Sequence, residues 1–224
     1  MDVRPLVPVL LCVIVVFGLP TEHAAQAQAV RVEVGGGWAI PSSEITMTEV
    51  NGGQSPEEFN PGPGPNIYAA VGLVWTLSDN FDLEGRLRAQ QSRMAVDGED
   101  FEGTRCGGAC TLQNDPDGRV WGATIEGQLT LTSVGRVHPY FLVGLGVSQT
   151  TVEAAKVRPP GADPIALTEV DVTDAGGDVG LGATTRIVGG LSATAEARVT
   201  GSLPGARENA VTTFPFTLGL SYTF

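Results

Sequence analysis

Residues 210–224 read AVTTFPFTLGLSYTF and carry the decisive pattern. Phe214, Phe216, Leu218, Leu220, Tyr222 and Phe224 share one face, and Thr213, Pro215, Thr217, Gly219, Ser221 and Thr223 share the other. A period of two held to the last residue is the mark of an extended strand with unlike faces, because successive side chains of a strand point in opposite directions.

Working back from this segment, the same alternation recurs near 30–40, 67–77, 81–90, 119–131, 137–149, 178–187 and 191–200, giving eight segments with 211–224. Connections alternate in length as well. Ser78-Asp79-Asn80, about Thr132 to Arg136, and Val188-Gly189-Gly190 are of hairpin size. The intervals near 41–66 (with PGPGP at 61–65), 91–118, 150–177 and 201–210 are long. Short turns at one end, long loops at the other and an even strand count describe an antiparallel up-and-down meander.

The charged residues fall opposite the apolar ones. Phe81, Leu83, Gly85, Leu87 and Ala89 oppose Asp82, Glu84, Arg86, Arg88 and Gln90. Leu191, Ala193, Ala195, Ala197 and Val199 oppose Ser192, Thr194, Glu196, Arg198 and Thr200. Trp121, Ala123, Ile125, Leu129 and Leu131 oppose Thr124, Glu126, Gln128 and Thr130. Two closed barrels satisfy this: a lipocalin-like one with the apolar face inward around a ligand, or an outer-membrane one with the apolar face toward lipid. Three features favour the second. Trp38, Trp75 and Trp121, with Phe81, Phe214, Tyr222 and Phe224, lie in the apolar phase near segment ends and form two aromatic girdles. The apolar phase is rich in Ala and Gly, which suits a wall against lipid better than a cavity lining. Segments of about ten residues match a tilted crossing of the hydrocarbon layer.

Charge and composition agree. The 224 residues hold 13 Lys+Arg against 25 Asp+Glu, a net charge of -12, with 30 Gly, 15 Pro and 3 Cys. The length fits one domain, and the acidity excludes nucleic acid as a partner, since phosphate neutralisation needs a basic footprint. Arg4, the apolar stretch LVPVLLCVIVVFGL at 6–19 and the small-residue sites Ala25-Gln26-Ala27 and Ala27-Gln28-Ala29 follow the order of a cleaved secretory signal, expected over 1–29. Its apolar core is shorter than a spanning helix needs. Beyond it the charges of the strands cancel, as do Asp79 and Arg136 in the turns, so the negative excess sits in the long loops.

From its first strand, VRVEVGGGWAI, to its last, FPFTLGLSYTF, the chain resembles the small outer-membrane β-barrel proteins of the OmpA-like transmembrane-domain and OmpX-like group. The resemblance implies an all-β, eight-stranded transmembrane barrel in the outer membrane, with both mature termini periplasmic and the domain spanning 30–224. It also implies outer-membrane lipid as the surroundings, and the secretion translocon and barrel-assembly machinery as partners in biogenesis. Leu218, Leu220, Tyr222 and Phe224 stand where the family carries its insertion signal. The likeness is to the barrel alone, so the peptidoglycan binding of full-length OmpA is not carried over.

Several constellations invite a chemical reading. Glu33, Glu84, Arg86, Arg88, Glu126, Arg186, Glu196 and Arg198 share the inward phase. They form either a salt-bridge network filling the lumen, which in eight strands is about wide enough for side chains alone, or a narrow path for small solutes. Packing is the favoured reading. Cys106 and Cys110 lack the spacing of a redox pair and the ligand count of a zinc site, which leaves a local loop disulfide. His138, the only histidine beyond the leader, lies at the short-turn end. The lipid-modifying chemistry of some small barrels sits toward the outer leaflet, so a catalytic role is not expected here. Asp97-Gly98-Glu99-Asp100 and Asp115-Pro116-Asp117-Gly118 lack a complete calcium-loop series and read as turn chemistry. No catalytic, cofactor-binding or metal-binding residue is therefore assigned. The expectation is a non-enzymatic anchor whose acidic loops meet envelope saccharide or divalent cations, with a narrow passive pore as the alternative and a lipid-modifying enzyme as a remote one.

Overall fold

In a computed structural model the described residues are 29–50, 57–97, 101, 110–133, 135–202 and 211–224. The expected leader, apart from Ala29, and Cys106 lie outside them.

Eight long strands close into one antiparallel barrel. They are β1 (Ala29–Pro41), β4 (Gly64–Ser78), β5 (Phe81–Met94), β7 (Gly118–Leu131), β8 (Val137–Val152), β11 (Val170–Val188), β12 (Leu191–Ser202) and β13 (Thr213–Thr223). Each pairs with its neighbour along the chain, and β1 closes against β13 from Arg31↔Thr223 to Pro41↔Thr213. Closure satisfies every strand edge, which an apolar surrounding demands. Gly135 (φ 58°) and Gly189 (φ 55°) supply the left-handed backbone at two short turns.

The faces follow the alternation. Outward positions include Val34, Ile67, Ile125, Leu145, Leu181, Phe216 and Leu218, all more than half exposed. An apolar wall of that extent is a membrane-facing wall. Trp38, Trp121 and Phe214 lie on it toward the long-loop end, and Trp75, Phe81, Tyr222 and Phe224 toward the short-turn end. Phe224 is the most exposed, at 74%.

The strands run past the segments read from sequence. β11 has 19 residues and β8 has 16, so pairing continues beyond the apolar band where alternation fades. Between these extended ends, among the described residues, five short strands form: β2 (Ile45–Met47), β3 (Glu57–Phe59), β6 (Thr111–Leu112), β9 (Lys156–Arg158) and β10 (Ile165–Ala166). β2 pairs with β3, and β10, β9 and β6 form a second small sheet. The bridge Glu49↔Leu167 joins the two, with Val50 N–H donating to Ala166 O (2.9 Å) and Thr168 N–H to Thr48 O (2.8 Å). The described parts of three of the long loops, those near 41–66, 91–118 and 150–177, are thus woven into one cap.

Candidate functional site

Inside the barrel, β5 delivers Glu84, Arg86 and Arg88 on alternate positions, β7 delivers Glu126, β12 delivers Glu196 and Arg198, and β1 delivers Glu33. Because the period is two, every inward residue of a strand faces the same lumen. Glu196 is the hub. Its Oε1 accepts from Arg198 Nε (2.8 Å) and Arg88 Nη1 (3.0 Å), and its Oε2 accepts from Arg86 Nη2 (3.1 Å) and the Tyr140 hydroxyl (3.0 Å). Glu126 bridges Arg86 Nε and Arg198 Nη1 (2.8 Å for the latter), and Thr124 donates to it at 2.9 Å. Glu33 lies 3.8 Å from Arg86.

The seven side chains so joined are 0–6% exposed, counting Glu84, which Arg31 reaches at 2.7 Å. Charges that far from water persist only when paired and hydrogen-bonded, and guanidinium groups that each bridge two carboxylates supply both.

Besides Arg31 and Tyr140, two further members stand outside the set read from sequence. Asp178 is 2% exposed, 3.4 Å from Arg198 and bonded by Thr200 Oγ1 at 2.7 Å. Tyr68 donates to Glu33 Oε1 at 2.6 Å, and the Arg88 guanidinium stacks on its ring at 3.6 Å. The inward parity of their strands carries both; the sequence reading weighed charge and spacing but not aromatic residues in the polar phase.

Arg186 does not join the network. It lies exposed beyond Thr184, the last buried inward residue of β11, beside the register shift between Arg186 and Val188. Arg119 likewise lies outside, bonded to Asp117 on the long-loop rim, and that hydrogen bond holds the Asp117 carboxyl below its ordinary value. The strand charges therefore do not cancel within the lumen. Within the bridged cluster Glu33, Glu84, Glu126, Asp178 and Glu196 face Arg31, Arg86, Arg88 and Arg198, one carboxylate in excess.

Toward the long-loop end the lining changes from charged to apolar. Met94, Val120, Val152 and Val170 from the barrel strands pack with Ile45, Met47, Phe59, Phe101, Val157, Ile165 and Leu167 from the cap. Phe59 and Phe101 stack at 5.1 Å, and both are fully buried. Cys110 is buried in the same core; Cys106 is not among the described residues. His138 stands at the opposite end, its Nε2 3.1 Å from Gly135 O. Among the described residues no three His, Cys, Asp or Glu side chains converge as metal ligands would, and the stretch 98–100 of the acidic loop is outside them.

A family model described as outer membrane protein beta-barrel domain matches residues 9–224. Among curated proteins none matches the sequence. Similar solved structures include neisserial surface protein A, at 12% identity over 87% of this chain and 97% of that one, with a TM-score of 0.48. The N-terminal β-barrel domain of Pseudomonas aeruginosa OprF is 12% identical over 88% of this chain and 97% of that one, TM-score 0.46. The outer membrane protease OmpT from Escherichia coli is 10% identical over 90% of this chain and 99% of that one, TM-score 0.50. At such identities the likeness is one of fold.

Proposed function

Given that the chain belongs to the outer membrane protein beta-barrel domain family, we propose that it is a non-conducting, non-enzymatic barrel that holds a folded cap at the cell surface. The short turns and both mature termini face the periplasm, and Leu218, Leu220, Tyr222 and Phe224 form the terminal row read by the assembly machinery. The observation that supports this best is the apolar cluster that packs the cap against the long-loop ends of the barrel strands, above a lumen whose buried charges are bridged to one another. An ion moving through would break several buried pairs and then cross an apolar layer, each step costing several kcal/mol. The single histidine beyond the expected leader stands at the short-turn end beside Gly135, away from the cap. Function then resides on the outer surface of the loops, where envelope saccharide and divalent cations are the candidate partners of the acidic groups.

The test is single-channel recording in a planar bilayer, on protein whose folding is verified by heat-dependent gel mobility. The wild-type barrel is expected to be silent at physiological salt. Discrete, reproducible openings would replace this reading with that of a narrow pore.

We further propose that Cys110 pairs with Cys106 to staple the cap. A loop so short contributes roughly 2 kcal/mol by chain-entropy reasoning. Natively purified protein is expected to take up no alkylating reagent until it is reduced, as read by mass; two labels without reduction would remove the disulfide.

A further inference from the structure

The cap has two unlike faces. Ile45, Met47, Phe59, Val157 and Leu167 turn toward the barrel, so the intervening residues of the same strands face away from it. Those outward positions segregate by charge. Glu58 on β3 and Glu44 just before β2 stand exposed at one side of the woven sheet, and Lys156 and Arg158 on β9 stand exposed at the other. Between them lie Thr48 and Thr168, whose hydroxyls meet at 3.0 Å across the junction of the two small sheets. Among the described residues none of the four charges has an ion pair, although the rim below them does pair Asp117 with Arg119.

Exposed Glu153, Asp163 and Glu169 border the basic side, but the strand positions themselves carry acid at one side, base at the other and small hydroxyl-bearing residues between, and are complementary to themselves after a half-turn. We infer that the occupant of this face is a second copy of the same chain. Its Lys156 and Arg158 lie over Glu44 and Glu58 of the first, and the reverse pairing follows by symmetry. Since the face points away from the barrel mouth, the two copies belong to two membranes that face each other, and the protein joins outer-membrane surfaces. The face is small for a stable complex, so a single contact is weak, and adhesion arises from many copies held in each membrane. This rests on the proposed orientation, with the long loops outward, but not on the silence of the lumen.

Full-length protein reconstituted in uncharged phosphatidylcholine vesicles tests it, with clustering followed by light scattering and the cap confirmed outward by protease access. Wild-type vesicles are expected to cluster with rising protein density and to disperse in high salt, where the charges are screened. K156E/R158E is expected to lose clustering, as is E44K/E58K, each leaving like charges opposed. The four-fold exchange variant, with both pairs swapped, is expected to regain clustering with itself and not to mix with wild type. All four positions are exposed, so gel mobility should show each variant folded. Wild-type vesicles that stay dispersed at every density overturn the inference, as does clustering by either half-exchanged variant at the wild-type rate. Dispersed vesicles with a silent barrel would leave the anchoring role standing and remove only the docking. Clustering with open channels would leave the docking standing and remove only the non-conducting reading.

Discussion

Arg198→Ala lowers the unfolding free energy of the barrel by about 3 to 5 kcal/mol, the range for removing one partner from a buried, hydrogen-bonded ion cluster. Arg198 is fully buried and serves three carboxylates at once: Glu196 at 2.8 Å, Glu126 at 2.8 Å and Asp178 at 3.4 Å. After its loss Glu126 retains Arg86, and Glu196 retains Arg86 and Arg88, but Asp178 loses the guanidinium beside it and keeps threonine hydroxyls, Thr200 at 2.7 Å. The cost is the stranding of a carboxylate in a cluster that already holds one acid in excess. Arg198→Lys should fall between, because a single ammonium cannot span Glu126 and Glu196 as the planar fork does. Urea unfolding of the refolded protein measures this. Arg186→Ala is the control, since that side chain is exposed and outside the cluster, and it should change stability by no more than about 0.5 kcal/mol. Equal midpoints for the Arg198 and Arg186 variants would mean that the lumen is wet and its pairs are replaceable by water.

The contrast between these two arginines shows where sequence reading reaches. Period two assigns a residue to the inward or outward row with little ambiguity, so eight strands, closure and the membrane-facing wall can be read from alternation alone. Height along the barrel is not encoded in that period. Arg186 and Arg198 are equivalent in phase, yet one lies past the last buried residue of its strand and the other at the centre of the cluster. The cap was less legible still. Its strands are two or three residues long, as in ITM, EEF and KVR, too short to establish any period, and they are joined across long intervals of chain, as at Thr111↔Arg158 and Glu49↔Leu167. What makes them strands is the neighbouring loop, not their own composition. The acidity of the loops was evident from counting; that they share an apolar core was not, because the residues forming it are scattered singly among polar ones.

Gly219→Ala should be the more disruptive change per atom, since it adds one methyl group where there is no room for it. A Cβ built at Gly219 would overlap the hydroxyl end of the Tyr68 ring, and one at Gly35 would overlap the same ring and the Leu218 carbonyl. Tyr68 reaches from β4 across β1 to β13, so its ring lies over the seam that closes the barrel. The ring cannot easily yield, because its hydroxyl is bonded to Glu33 and its face is covered by Arg88. Overpacking of a well-filled site costs about 1 to 3 kcal/mol, and displacing the ring would add the loss of the Glu33 bond. Tyr68→Ala removes the ring outright and should cost roughly 3 to 5 kcal/mol. The informative variant carries both changes. If Tyr68 and Gly219 act as tenon and notch, the added methyl has nothing left to strike, and Y68A/G219A should be no less stable than Y68A alone, with a coupling energy near the full cost of G219A. Urea midpoints give the stabilities, and the folded fraction by gel mobility after refolding shows whether closure itself is slowed. Simple additivity of the two substitutions would place the strain of Gly219→Ala in the β-ladder and leave Tyr68 without a role in closing the seam.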